Sequence, residues 1–399
     1  MTDLLQPPAL TRNEHWESDS ITPGAVSRAL TRMWSDIGAE RRSGNRLSRA
    51  VAEAASMRTQ TVNLVVVAEG DADLDTYADL VTHLPDITPS RVILLATQRG
   101  WQESLETSVY VEERPNAPPH APTRIEVISV RGRPERLASV AAPLMVPELP
   151  DFVWCTTRDF PHDIVLTELA DQADRVMVDS AASPDPGAAL EFLVRLMTDG
   201  GPELRISDMV WTRLRSWRQM VAQFFDHPML LPSLFETEEV VIDCAKRDDS
   251  DLSGVTGGLL AAGWLASCMG WRAPGEELVR SRDGWKLTLR AGQRGQSREV
   301  VMLIREVEDP ACSAALSAIT ITAGHNAPGT FIVRRTGPDT MTTISDTPAT
   351  GTTERTIYSA NPDAARLLST ELRQFDSDPV FEQALQFAAN LWPAGALVS

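Results

Sequence analysis

The sequence predicts an α/β unit followed by an α+β unit: a doubly wound, mostly parallel sheet, then an antiparallel sheet backed by helices. Three observations carry this expectation. The first half alternates unbroken apolar runs, notably Leu64 to Val67 and Val92 to Leu95, with helical segments, as expected of strands covered on both faces by crossover helices. From Glu238 onward the runs are short and alternate; in Trp285-Lys286-Leu287-Thr288-Leu289-Arg290 apolar and polar residues strictly take turns, the mark of antiparallel strands with one wet face. Finally, 399 residues exceed the usual size of a single core, so two domains are expected.

Only the first twenty residues read as an unstructured tail. Val26, Leu30, Met33, Trp34 and Ile37, then Leu47, Val51 and Ala54, with Gly38 and Gly44 between them, predict two helices, so residues 1–56 form a helical lead-in. Strands are expected at Val62 to Ala68, Arg91 to Thr97, Ser108 to Glu112, Arg124 to Val130, Asp151 to Cys155 and Arg175 to Val178. Helical recurrence at Leu74 to Leu84, Leu137 to Met145, His162 to Ala173 and Pro186 to Met197 supplies the crossovers, and proline-rich Arg114 to Thr123 is a loop. This Rossmann-like domain, residues 57–230, ends in a helix over Asp208 to Asp226. There Val210, Trp211, Leu214, Trp217, Val221, Phe224 and Phe225 form one apolar face, Ser207 offers an N-cap, and Asp226-His227-Pro228 is the stop.

Residues 238–399 form the second domain. Strands are expected at Glu238 to Cys244, Trp285 to Arg290, Glu299 to Glu306, Leu316 to Ala323, Gly329 to Arg335, Thr340 to Ser345 and Arg355 to Ser359, with Gly337-Pro338-Asp339 as a hairpin turn. A helix at Val255 to Met269 and a helical stretch from Pro362 to Leu391 cover the other face of that sheet. There is no internal repeat.

Hydrophobic residues at 43% against 23% charged describe a globular chain. A formal charge of −18 opposes nucleic acid and anionic lipid, both of which bind through basic faces. Lysine occurs only at positions 246 and 286, which leaves few candidates for Schiff-base chemistry or a phosphate-loop lysine. Met1 to Thr11 has no apolar core of signal-peptide length and no segment approaches eighteen uninterrupted apolar residues, so the expected location is the cytoplasm. Cys155, Cys244, Cys268 and Cys312 are widely separated, with no C-x-x-C pair and no histidine at metal spacing; they read as buried reduced thiols, and no metal is expected.

In a doubly wound sheet ligands gather at the carboxyl ends of the strands. After Ala68 the chain reads EGDADLD, which lacks G-x-G-x-x-G and carries the wrong charge for a pyrophosphate, so no nucleotide cofactor is expected. The turn Arg131-Gly132-Arg133-Pro134-Glu135-Arg136 is better suited to an anion: Arg131, Arg133 and Arg136 stand where a helix dipole and guanidinium forks act together on a sugar phosphate. Solvated arginines are the alternative. Asp179 and Ser180 also follow a strand, to bind a sugar hydroxyl or a partner's arginine, or to cap the next helix. No G-x-S-x-G elbow is present, His83 and His162 lie in or beside helices, and His120 sits in the proline loop, so no catalytic residue is assigned. Glu238-Glu239 and Asp248-Asp249 read as solvated acids.

The order Asp208, Trp211, Arg213, Trp217-Arg218, Phe225-Asp226 resembles the signature helix of the glucose-6-phosphate dehydrogenase assembly proteins, the OpcA family. Arg58 to Ala68 (RTQTVNLVVVA), Leu137 to Trp154 (LASVAAPLMVPELPDFVW) and Arg175 to Ser180 (RVMVDS) resemble the same family's strands, so the likeness spans about Ser56 to Asp226. Where that pattern often has a second aromatic, this chain has Cys155. The resemblance implies a non-catalytic assembly factor and allosteric activator that binds glucose-6-phosphate dehydrogenase in the oxidative pentose phosphate pathway and promotes its active oligomer. It directs attention to Arg213, Arg215 and Arg218 on the polar face as partner-binding residues. Cyanobacterial relatives are linked to thioredoxin control, and with no cysteine pair near the C-terminus that control is not expected here. The alternatives are a sugar-phosphate or nucleotide-binding enzyme, or a metabolite sensor, with a degenerate site at the Arg131 to Arg136 turn.

Overall fold

The computed structural model describes residues 13–18, 22, 24–33, 62–82, 84, 91–97, 105–113, 124–245, 253–273, 278–282, 284–292, 298–308, 316–324 and 326–392. The second lead-in helix, the loop at 114–123, Asp248-Asp249, His83, His120 and Cys312 lie outside the described residues.

All six strands expected in the first half form. β2 (Asn63–Glu69), β3 (Arg91–Thr97), β5 (Arg124–Gly132), β6 (Asp151–Cys155), β7 (Arg175–Val178) and β8 (Arg205–Asp208) run parallel in the order β5-β3-β2-β6-β7-β8. The winding reverses between β2 and β6. β4 (Glu106–Glu113) adds antiparallel to β5, and β1 (Asn13–Ser18) adds antiparallel to β4. β1 and β8 are departures from expectation. β1 lies in the polar start, and Arg205-Ile206-Ser207-Asp208 carries a single aliphatic residue, so neither has an apolar run; pairing with a neighbouring strand makes them strands.

The apolar runs are buried because helices cover both faces. α1 (24–33) buries Val26, Ala29, Leu30 and Met33. α2 (Asp71–Thr82) follows β2, α3 (Pro134–Ala141) follows β5, and α4 (Ile164–Ala170) and α5 (Pro186–Asp199) complete the crossovers. Asp163 accepts from the Leu166 N–H and Asp185 from those of Gly187 and Ala188, so both helices start on aspartate caps. The segment expected as one helix to Met145 is α3 followed by a 3-10 turn at Ala142–Leu144, because Pro143 cannot supply the helical N–H.

The second sheet has the order β10-β11-β12-β9-β13-β14-β15-β16. Its strands are β9 (Thr237–Ala245), β10 (Val279–Ser281), β11 (Gly284–Ala291), β12 (Arg298–Val307), β13 (Leu316–Ala323), β14 (Gly329–Gly337), β15 (Thr340–Thr347) and β16 (Gly351–Tyr358). The pairs are antiparallel, as expected, except that β12 runs parallel to β9. The exception follows from α9 (Ser253–Met269), which crosses over the sheet between them. Val240, Ile242, Met302, Ile304, Ile319 and Phe331 fill the helix-covered face, while Leu303, Val241, Thr320, Ile332 and Ile344 form a cross-strand row on the other.

The C-terminal helical stretch departs from expectation. It divides into α10 (Ala364–Glu371) and α11 (Pro379–Leu391). α11 packs on α9 and α5, whereas Leu367, Leu368 and Leu372 are buried with Leu64, Val66 and Leu94 of the first sheet. The chain thus returns to its first half, and the two sheets share a core. Gly263 of α9 allows the crossing with α11, since a Cβ there would run into the carbonyl of Ala384.

Candidate functional site

The strand-end turns are built largely from groups that bind one another. At the reversal point, the Thr156 N–H and hydroxyl both donate to the Val67 carbonyl at 2.9 Å, closing the gap between β2 and β6. Gly70, at φ +85°, turns the chain into α2 next to Glu69. In the arginine turn, a Cβ on Gly132 would meet the end of the Leu105 side chain, which would have to shift to admit it. Arg131, Arg133 and Arg136 each already have an interaction within the protein.

Asp179 and Ser180 sit together after β7, where expected, but both face inward. Arg213 donates to Asp179 from both terminal nitrogens, at 2.8 and 2.6 Å. Ser180 is fully buried; its N–H donates to Asp208 at 3.1 Å and its hydroxyl bonds the other carboxylate oxygen. Asp179 also accepts from the Ala181 N–H at 3.3 Å, so it caps the 3-10 turn Ser180–Ala182 as one of its expected roles; the signature helix is capped by Asp208, which accepts from the Val210 N–H at 3.0 Å, and not by Ser207, whose hydroxyl is taken by Arg175. Burial pushes the Asp208 carboxyl up to about 7; the Ser180 bond opposes the shift and nearby Asp179 adds to it.

The helix predicted over residues 208–226 is two helices, α6 (Met209–Arg213) and α7 (Arg215–Phe224), joined at Leu214. Its apolar face closes the core as expected: Val210, Trp211, Leu214, Trp217, Val221 and Phe225 are all buried. Trp211 is the hub. Its indole N–H donates to Asp378 at 2.8 Å, its ring lies 5.5 Å from that of Phe381, and the Arg218 guanidinium stacks over it at 3.3 Å. Burial lowers the Arg218 pKa to about 10. Nearby, Thr212 bonds Glu371, and Arg175 joins Ser207 to the Asp376 carbonyl, so a buried polar network anchors α10 to the first sheet. Of the three polar-face arginines, Arg213 and Arg218 are bound inward and Arg215 faces solvent.

α7 ends at Phe224 with Phe225 as its C-cap, just before Asp226, and the chain then runs through α8 (Leu231–Phe235) with Met229, Leu231 and Phe235 exposed. The sequence assigns this segment no element, because a helix of five residues is too short to show helical recurrence. Among the described residues, no three His, Cys, Asp or Glu side chains are grouped to hold a metal. Burial pushes the Cys155 thiol up to about 12, far from a nucleophile's range. Cys155 and Cys244 are buried as expected, but Cys268, at the end of α9, is exposed. His162 pairs with Asp159 at 2.7 Å in the open. No described helix is long and apolar enough to cross a membrane.

Two family models match this chain in order. One is described as the glucose-6-phosphate dehydrogenase subunit N-terminal domain, over residues 81–195, and the other as its C-terminal domain, over residues 204–385. An OxPP cycle protein OpcA of Synechococcus elongatus is 31% identical over 150 residues, 37% of this chain and 32% of that one. The protein of the same name in Nostoc punctiforme is 26% identical over 264 residues, 65% of this chain and 54% of its own length. The matched stretches thus span about a third to a half of these relatives. Among solved structures, glucose-6-phosphate 1-dehydrogenase from Mycobacterium avium matches at TM-score 0.48 and 12% identity, covering 82% of this chain and 91% of that one. An NAD-binding oxidoreductase from Klebsiella pneumoniae matches at TM-score 0.45 and 12% identity, covering 84% and 97%. Nothing about chemistry follows from likenesses this distant.

Proposed function

Because this chain belongs to the OpcA family of glucose-6-phosphate dehydrogenase subunits, we propose that it is a non-catalytic partner that binds glucose-6-phosphate dehydrogenase and favours that enzyme's active oligomer. The observation that carries this reading is the match of both subunit domains, in order, over residues 81–195 and 204–385. What supports the non-catalytic part is the state of the strand ends: Asp179 is held by Arg213 and Ser180 by Asp208, groups occupied in maintaining the fold.

Activation of this kind needs only a surface that binds the competent state of the enzyme more tightly than the other state. A roughly hundredfold preference corresponds to about 2.7 kcal/mol. The docking face we propose is the ridge of Met229, Leu231 and Phe235, which are 57%, 40% and 58% exposed, together with exposed Arg215. Apolar and aromatic side chains that lose water at an interface supply most of its affinity. The test is the double variant Met229→Asp, Phe235→Asp, mixed with the dehydrogenase: it keeps the fold and loses the complex. A double variant that binds as the parent does places the docking face elsewhere.

A further inference from the structure

Helices pack closely on one face of the second sheet. A Cβ on Gly258 of α9 would meet Cys244 and Ile304, and the Phe224 ring of α7 stands 5.4 Å from that of Phe331. On the opposite face stand Leu303, Val241, Ile332 and Ile344, four aliphatic side chains that, among the described residues, belong to neither hydrophobic core. Leu303, Ile332 and Ile344 are partly exposed, as is Thr320 between them. Aliphatic groups aligned across strands and left out of both cores are surface that gains from losing water.

The strand register carries this line to charged ends. Lys286 is paired with Leu303, and Leu303 with Val241. Val241 is paired with Thr320, Thr320 with Ile332, Ile332 with Ile344, and Ile344 with Glu354. Residues directly opposed across strands share a face, so a single line crosses seven strands from exposed Lys286 to exposed Glu354, with Thr320 of β13 at its midpoint. The adjoining line has the same centre: Asp243 and Arg334 flank Ala318 of β13 on either side. Both lines are therefore antisymmetric in charge about β13.

We infer that this face packs on the same face of a second copy of this chain, about a two-fold axis that runs along β13. Such an interface must be self-complementary, and this one is. Rotation about that axis lays β11 over the partner's β16, β12 over its β15 and β9 over its β14. Lys286 then faces Glu354 of the partner subunit, Leu303 faces Ile344 of the partner subunit, and Val241 faces Ile332 of the partner subunit. Asp243 faces Arg334 of the partner subunit, while Ala318 and Thr320 meet their own copies on the axis, where small side chains allow close approach. A two-fold axis across the strands would instead set Lys286 on Lys286 and Glu354 on Glu354, so the order of charges selects one arrangement. Packed sheets lie about 10 Å apart and within about 30° of alignment, offsets that long lysine and glutamate side chains bridge. Strands about 4.8 Å apart and residue lines about 7 Å apart give a face of roughly 600 Å² per subunit, which reaches the range of a stable interface. The inference goes beyond the proposed partnership: it needs no dehydrogenase and uses none of Met229, Leu231 and Phe235.

The test is sedimentation velocity of the full chain alone, from nanomolar to high micromolar concentration. The parent is expected to sediment as a dimer at micromolar concentration. Lys286→Glu and Glu354→Lys each weaken the dimer by about tenfold or more, because the two-fold axis repeats each new clash. The variant carrying both exchanges restores it, a recovery that damage to the fold would not give. Ile344→Asp weakens the dimer further, and each variant keeps the parent circular dichroism. A chain that stays monomeric throughout overturns the inference, as does a dimer indifferent to all of these substitutions. Loss in the single variants without recovery in the double variant overturns the arrangement about β13. A monomeric chain whose complex with glucose-6-phosphate dehydrogenase is lost in Ile344→Asp assigns the face to that enzyme and overturns the second copy.

Discussion

Trp211 donates its indole N–H to one carboxylate oxygen of Asp378 at 2.8 Å, while the other oxygen accepts from the N–H groups of Val380 and Phe381. One side chain thus caps α11 and fixes the helix that carries the family's signature residues. The tryptophan is needed there as a donor as well as an apolar body, which its place on a hydrophobic face does not disclose.

Replacing Asp378 removes the cap and leaves a buried indole N–H without an acceptor. Asp378→Ala is expected to cost about 2–3 kcal/mol in urea unfolding with an unchanged slope, more than the ~1 kcal/mol of an isolated cap. Trp211→Phe keeps the cap and loses less. Equal losses in the two variants would show that the indole bond contributes nothing.

Stability is expected to depend on pH through Asp208. Its folded-state pKa, about 7, lies above the ordinary 3.8, so between those values the native protein holds a proton that the unfolded chain has released. Stability therefore falls as pH rises through this window and levels off above about 7. Asp208→Asn flattens the decline. Part of it remains at the lower end, because burial also raises the Glu371 pKa. Denaturant midpoints from pH 4 to pH 8 measure this, and a parent whose stability climbs steadily across the window contradicts it.

Arg213 and Arg215 are expected to separate structure from surface. Arg213→Ala leaves Asp179 partly buried without its bidentate partner and lowers stability by about 2–4 kcal/mol, with Arg213→Lys recovering only part. Arg215→Ala changes stability by less than about 0.5 kcal/mol and weakens the complex with the dehydrogenase. Unfolding curves together with a binding titration decide it. A stable Arg213→Ala that fails only in binding returns Arg213 to the docking face.

Gly263→Ala is expected to cost about 1–3 kcal/mol, because the added methyl meets the Ala384 carbonyl where α9 crosses α11. Thermal unfolding beside Gly201→Ala, where a Cβ meets nothing within 4 Å, is the control.

The sequence discloses the parallel strands because runs such as Leu64 to Val67 are apolar on both faces, and it discloses the signature helix because its apolar face is wide. β8 escapes because its hydrophobicity is negligible, and α10 escapes as a cover of the first sheet because nothing local in Leu367 and Leu368 says which sheet they meet. The candidate site was legible in residue type only. Asp179, Ser180 and Arg213 do converge, but on one another, and a salt bridge across thirty-four positions leaves no periodic trace.

The central claim is that this protein acts by binding another catalyst. The most direct measurement is the sedimentation mass and turnover of glucose-6-phosphate dehydrogenase with and without this chain at micromolar concentration. A larger complex with raised activity, lost with Met229→Asp, Phe235→Asp, is the predicted result. Unchanged mass and rate, or turnover of glucose 6-phosphate by this chain alone, would contradict it.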